Sequence, residues 1–280
     1  MDDAYTYCSD RLHELDKERF FAGLFTPEPA RRHVFAILAF SAEIARVRDV
    51  VSDPLPGEVR LQWWRDLMDG TARGECEANP IAAALTDTIA RFGLPLDMFH
   101  QLIEARSFDL YDDPMPSLAD LETYARETSS ALIRLSSIVL AGRDDVAAAA
   151  AAEPAGIAYG LTGLLRSVAF HAARGQTYLP TDLLEAYGVD PASILAGKSS
   201  AGLNGVLAEL RARTRARLAE TRTLIAAVPK PAAPAFLACA LVEPMLKLMD
   251  RADYDPFRTV VDLPQWRKQL TLWWMARRAR

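Results

Sequence analysis

Long apolar runs are missing from this chain of 280 residues. No stretch of about 18 uninterrupted apolar residues occurs, so the sequence predicts no membrane-spanning helix. Cysteine is scarce: Cys8, Cys76 and Cys239 are odd in number, far apart and without C-x-x-C spacing. That pattern argues against a disulfide framework and a zinc site, and suits a reducing compartment. Positive charge is in deficit, with a formal net charge of -5, which argues against a nucleic-acid partner. The opening Met1-Asp2-Asp3-Ala4 is acidic and resembles neither a secretory signal nor an Arg-rich transit peptide, so a soluble cytoplasmic protein is expected. Catalytic signatures are also lacking. His13, His33, His100 and His171 are dispersed, and no H-E-x-x-H, glycine-rich phosphate loop or G-x-S-x-G elbow is present.

Strand-like alternation is nearly absent, and what replaces it is helical periodicity. Windows 58–70, 81–92, 96–110, 118–140 and 202–227 carry apolar residues at three- and four-residue spacing. Between them stand short breaks such as Pro27-Glu28-Pro29, Asp53-Pro54-Leu55-Pro56-Gly57 and Pro229-Lys230-Pro231, which punctuate helices without the length of a linker. The alanine run that follows Asp144-Asp145 reads as a helix start. The expectation is an all-α fold in a single domain, 1–280.

Local chemistry offers few candidates. Ser167 and His171 lie four apart, a spacing that puts a hydroxyl and a base on one helical face, but no orienting acid accompanies them. Glu104, Asp109, Asp112 and Asp113 cluster before a proline turn, where carboxylates cap or solvate a helix end; Asp109 and Asp49 are the weak metal candidates. Trp63 and Trp64 read as core packing with one interfacial ring. The terminal segment from Gln265 mixes Trp266, Trp273 and Trp274 with Arg267, Lys268, Arg277, Arg278 and Arg280. It is expected to close the bundle with its Trp face inward, contact with an anionic membrane surface being the other reading.

The pattern across the chain resembles the squalene/phytoene synthase family. The likeness rests on Arg32 to Phe40 entering a first motif helix, Tyr124 opening a small-residue helix through Thr128-Ser129-Ser130-Ala131, and Leu161-Thr162-Gly163-Leu164-Leu165-Arg166 followed by Gly175-Gln176-Thr177-Tyr178-Leu179-Pro180. It implies the isoprenoid-synthase helical fold with a central apolar cavity. In active members two aspartate-rich motifs on facing helices hold magnesium ions, which bind the diphosphates of two prenyl substrates.

Carried over residue by residue, the resemblance places the leading aspartates of the first motif on Ala45 and Arg46 and the later one on Asp49. In the second motif the polar ligands fall on Gly160 and Gly163 and the aspartates on Ser167 and His171, while Arg166 keeps the family residue type. At helical spacing, 160, 163, 167 and 171 would form one stripe. The ligand-binding set so implied is Arg46, Asp49, Tyr124, Gly160, Gly163, Arg166, Ser167, His171 and Tyr178; an active enzyme would use Asp49, Arg166 and Tyr178. One aspartate and one histidine cannot supply the carboxylate shell that magnesium needs, so no cofactor and no catalysis are expected. The alternative is an active prenyltransferase with Mg2+.

A narrower similarity, from Ala45-Arg46-Val47-Arg48-Asp49 into Arg60-Leu61-Gln62-Trp63-Trp64-Arg65, is to the branch of the family associated with assembly of respiratory complex I, the NADH dehydrogenase. It implies a noncatalytic role in that assembly, complex I subunits as partners, and a prenyl diphosphate or other lipid in the cavity; peripheral contact with the inner membrane is the expectation attached to the terminal segment from Gln265.

Overall fold

The structure is a computed structural model that describes residues 1–72 and 78–278. Cys76 and Arg280 lie outside the described residues. Among these residues there are fifteen α-helices and no strand. In order they are α1 (Asp2–Leu15), α2 (Lys17–Gly23), α3 (Glu28–Ala45), α4 (Pro54–Met68), α5 (Pro80–Phe92), α6 (Leu96–Ser107), α7 (Leu118–Ala125), α8 (Ala131–Ala141), α9 (Val146–Arg166), α10 (Val168–Ala172), α11 (Thr181–Ala186), α12 (Pro191–Leu195), α13 (Ala201–Leu224), α14 (Val242–Met249) and α15 (Gln265–Arg278).

Helix boundaries follow local chemistry. Pro54, Pro80 and Pro191 open α4, α5 and α12, where a missing N–H costs nothing because the first amides have no intrahelical partner. The side chain of Asn79 accepts from the amides of Ile81 and Ala82, and Asp145 accepts from Ala147 and Ala148, so each caps its helix start. The alanine run is thus the first half of α9, as its composition predicts. Gly93 and Gly142 end α5 and α8 in the left-handed conformation, which costs a residue without Cβ little.

One apolar core gathers α1, α3, α4, α5, α6 and α8 around Phe40, Phe99 and Leu102; a second gathers α7, α9, α13, α14 and α15 around Ile157, Leu207 and Leu246. A smaller cluster packs the alanines of α9 against Phe236 and Cys239. Trp64 is buried edge-on against Phe40 and carries Trp63, half-buried, on its own face, so this pair packs as its sequence suggests. Arg65 is tied to the body through Glu104 at 2.8 Å and Ser107 at 2.7 Å.

Between α7 and α8 the helix widens to a π-turn over Arg126–Ser130. Such insertions disturb the regular hydrogen-bond ladder and tend to mark functional sites in helical folds. The Thr128 hydroxyl donates to Tyr124 O, and Ser130 Oγ donates to Glu153 O on α9, which secures the turn on both sides. A 3-10 helix, Lys230–Leu241, leads into α14. The span Lys230–Met249 is long and apolar enough to cross a membrane by composition, but half of its apolar window is buried inside the molecule. Free Cys8 and Cys239 are both buried, which pushes each thiol up to about 12.

Candidate functional site

The two motif segments are not continuous helices. α3 ends at Ala45, and Val47–Val50 forms a 3-10 turn, so Ala45 and Asp49 do not share one α-helix. α9 ends at Arg166; Ser167, at φ -105 and ψ 11, leaves the helix before α10 begins. The expected stripe therefore splits. Gly160 packs on the π-turn, where an added Cβ would sit 3.1 Å from Ala125 Cβ and 3.2 Å from Ser129 Oγ. Gly163, Arg166 and Ser167 line a recess of about 150 Å³ shared with Glu18 and Met245. His171 lies instead in a second recess, about 10 Å³, with Leu121 and Tyr178.

Asp49 and Asp109 are already engaged. Asp49 forms an ion pair with Arg174, whose guanidinium also stacks 4.7 Å from the Phe170 ring. Of the nearby arginines, Arg48 reaches Asp112 at 3.3 Å, and neither Arg46 nor Arg60 has an ion-pair partner among the described residues. Asp109 is buried, and three donors converge on it. Tyr124 and Tyr178 donate their hydroxyls to Oδ1 at 2.8 and 2.6 Å, and Arg106 reaches Oδ2 at 2.9 Å. Arg106 also donates to Tyr124 at 2.6 Å, and Gln176 Nε2 binds the Asp109 carbonyl at 2.9 Å. Burial drives both tyrosine hydroxyls well above their ordinary range and so keeps them neutral donors.

Arg166 closes a second network. It donates to Glu18 at 2.7 Å; Lys268 of α15 donates to the same oxygen at 3.0 Å and pairs with Asp262 at 2.5 Å. Burial alone would raise the Glu18 carboxyl, but Arg166 and Lys268 outweigh it and hold it low. Tyr159 lines the same recess as Glu18 and Arg166, with the Arg19 guanidinium 4.7 Å from its ring centre. Arg19 in turn pairs with Asp16 at 3.1 Å and lies within electrostatic reach of Arg106.

Sequence reasoning missed Glu18, Arg19, Arg106, Arg174 and Lys268. A local signal existed for two: Asp16 caps α2 by accepting from the Arg19 amide, and Arg106 precedes Asp109 by one turn. The others depend on partners 125 to 250 residues distant.

Magnesium does not fit this donor set. Arg174 is paired with one oxygen of Asp49, guanidinium and phenol donors meet both oxygens of Asp109, and a hard divalent ion requires several converging oxygens. No group of three or more His, Cys, Asp or Glu residues that could hold a metal occurs among the described residues.

A further group bears on pH. Burial pushes the His171 imidazole down to about 4 against the opposing pull of Asp109, and burial together with Arg32 and Arg91 holds buried His33 at about 4. A base with a depressed folded pKa favours the folded state fully above its unfolded value, near 6.5, and that contribution is lost as pH falls toward 4. Urea unfolding should therefore show stability dropping between pH 6.5 and 4, by about 2 kcal/mol for each histidine. His171→Phe should make the drop shallower; an unchanged slope would contradict the assignment.

The model of the squalene/phytoene synthase family matches residues 12–274. The chain belongs to that family. Among its relatives, NADH dehydrogenase (ubiquinone) complex I, assembly factor 6 of Rattus norvegicus is 32% identical over 255 residues, covering 91% of this chain and 76% of the relative. The 15-cis-phytoene synthase of Synechococcus elongatus is more distant, 25% identical with 97% and 92% covered. A crystal structure of a dehydrosqualene synthase with a ligand superposes with a TM-score of 0.85 at 17% identity, covering 99% of this chain and 96% of that one. The family's helical fold is thus retained. At its centre the arginine networks border recesses of only about 10, 40 and 150 Å³.

Proposed function

We propose that this protein is a noncatalytic squalene/phytoene synthase relative that supports assembly of respiratory complex I. The observation that carries this reading is the capture of Asp49 by Arg174 and of Asp109 by Arg106, Tyr124 and Tyr178. Where the family's chemistry needs carboxylates free to hold cations against a leaving diphosphate, this chain supplies its own fixed cations, each already neutralised. Ionisation of a prenyl diphosphate then lacks its main electrostatic support. The relative named as a complex I assembly factor, matched over 91% of this chain, supports the partner half of the proposal.

Room is the second consideration. The recess beside Gly163 and Arg166, about 150 Å³, is smaller than ordinary ligand pockets of roughly 300–1,000 Å³. It suits one small group better than two prenyl chains, with Gly163 and Ser167 at its wall and Arg166 already paired with Glu18.

The test has two arms. Pure protein incubated with farnesyl and geranylgeranyl diphosphates, Mg2+ and NADPH should release no squalene, phytoene or pyrophosphate. Product that vanishes in Asp49→Ala would establish the prenyltransferase alternative. Deletion of the gene should lower complex I activity in membranes, and the Asp49→Ala chain should restore it as well as the parent chain does. Normal complex I in the deletion strain would end the assembly reading.

A further inference from the structure

The terminal helix α15 is turned opposite to its hydrophobic pattern. Trp266, Leu270, Trp273 and Trp274 follow the i, i+4, i+7, i+8 spacing of a stripe that should pack inward. All four are exposed, with Trp266 at 66% and Leu270 at 54%. The inward face carries Leu272, fully buried, and Lys268, only 7% exposed, with its ammonium on Glu18 and Asp262. Rotating the helix to cover the tryptophans would strip Lys268 of both partners and leave Glu18 with Arg166 alone, so the outward setting is specified by the internal ion pairs.

The exposed face has a charge of its own. From Leu263 to the end, the sequence holds four arginines and one lysine and no acid, although the whole chain has a formal charge of -5. Arg277 and Arg278 stack on Trp273 and Trp274, with guanidinium carbons 4.3 and 3.3 Å from the ring centres. Lys268 is spent inside, which leaves Arg267, Arg277 and Arg278 outside with the indoles. An acidic molecule that concentrates uncovered tryptophan and arginine on one helix has a face complementary to an anionic, amphipathic surface. Indole rings favour the boundary between head groups and acyl chains, and arginine favours lipid phosphate.

We infer that α15 is a membrane-docking helix which lies flat on a bilayer containing anionic lipid, with Trp266, Leu270, Trp273 and Trp274 entering the interface and Arg267, Arg277 and Arg278 on the head-group phosphates. The inference goes beyond the assembly role and does not depend on it: docking is read on lipid vesicles alone.

The experiment uses the full chain and vesicles of phosphatidylcholine, with or without about 30% phosphatidylglycerol, in flotation assays. Three of the five tryptophans of the chain are on the docking face, so their emission should shift to the blue on binding and be quenched by brominated acyl chains. Binding should be confined to the anionic vesicles and decline with added salt. Arg267→Glu with Arg277→Glu should weaken it at least tenfold, on the scale of roughly fivefold per basic residue at such a surface. Trp266→Ser, Trp273→Ser and Trp274→Ser together should abolish the blue shift while leaving the melting temperature unchanged, because these side chains are exposed in the folded protein. Absence of binding to anionic vesicles would overturn the proposal, as would binding that both variants preserve. A dimer dissolved by the tryptophan variant, without vesicle binding, would overturn it too and assign the face to a second copy of the chain.

Discussion

Asp109→Ala is expected to lower the unfolding free energy by about 3–5 kcal/mol, the usual cost of leaving one member of a buried ion pair without its partner. Asp109 receives Tyr124 and Tyr178 on one oxygen and Arg106 on the other. Its removal leaves a buried guanidinium facing two phenols, with Arg19 adding like charge nearby. No opposite charge is placed to take over, since the remaining acids of the site are held by Arg174 and Arg166. Urea denaturation of the two proteins gives the difference directly. Arg106→Met combined with Asp109→Leu should recover much of the loss, because a well-packed apolar pair avoids the desolvation cost altogether. A loss below about 1 kcal/mol in Asp109→Ala would mean that water reaches the network and that the site is more open than its geometry indicates.

The second large effect belongs to Gly156. A Cβ at this position would come within 2.2 Å of both the Cα and the amide nitrogen of Ser130. Backbone in the π-turn cannot move aside as a flexible side chain would, so Gly156→Ala must push α9 off Arg126–Ser130 and disturb the Ser130 bond to Glu153. A destabilisation of about 3 kcal/mol or more is expected, at the upper end for added volume in a packed core. Gly163 provides the comparison on the same helix, because nothing lies within 4 Å of its would-be Cβ. Gly163→Ala should be neutral or stabilise by up to about 1 kcal/mol through helix propensity. Thermal melts of the two variants test the contrast; equal melting temperatures would show that α9 does not approach the π-turn this closely.

That contrast also shows how far the residues could be read without the fold. Gly163 sits in the segment that carries the family likeness, and the resemblance assigned it with Gly160 to one ligand stripe. The structure separates them for a reason that no helical wheel contains: Gly160 and Gly156 accommodate the π-turn, whereas Gly163 opens onto a recess. The stripe also assumed that α9 continues through His171. The chain leaves the helix at Ser167, one residue beyond Arg166, and that break sends Ser167 and His171 to different recesses.

The helical windows, by contrast, were plain in the sequence. Windows 58–70, 81–92 and 96–110 correspond to α4, α5 and α6 with its 3-10 extension, and 118–140 to α7, the π-turn and α8. These boundaries rest on interactions within a few residues: Pro at a first turn, Asn79 or Asp145 as a cap, Gly93 at an end. Ala45, Arg46, Ser167 and His171, at the positions where the resemblance implies aspartates, were legible too, since identity is a matter of sequence alone. Their spatial partners were not.

By itself, then, the amino-acid sequence determined the all-α architecture and the family, because each depends on local periodicity or on residue identity. Tertiary structure alone decided that Asp49 belongs to Arg174, that Glu18 belongs jointly to Arg166 and Lys268, and that three tryptophans of α15 face outward. A charge finds its partner in space, at separations here of 125, 148 and 250 residues, and a buried lysine with two carboxylates can outweigh the hydrophobic pattern of the helix that carries it.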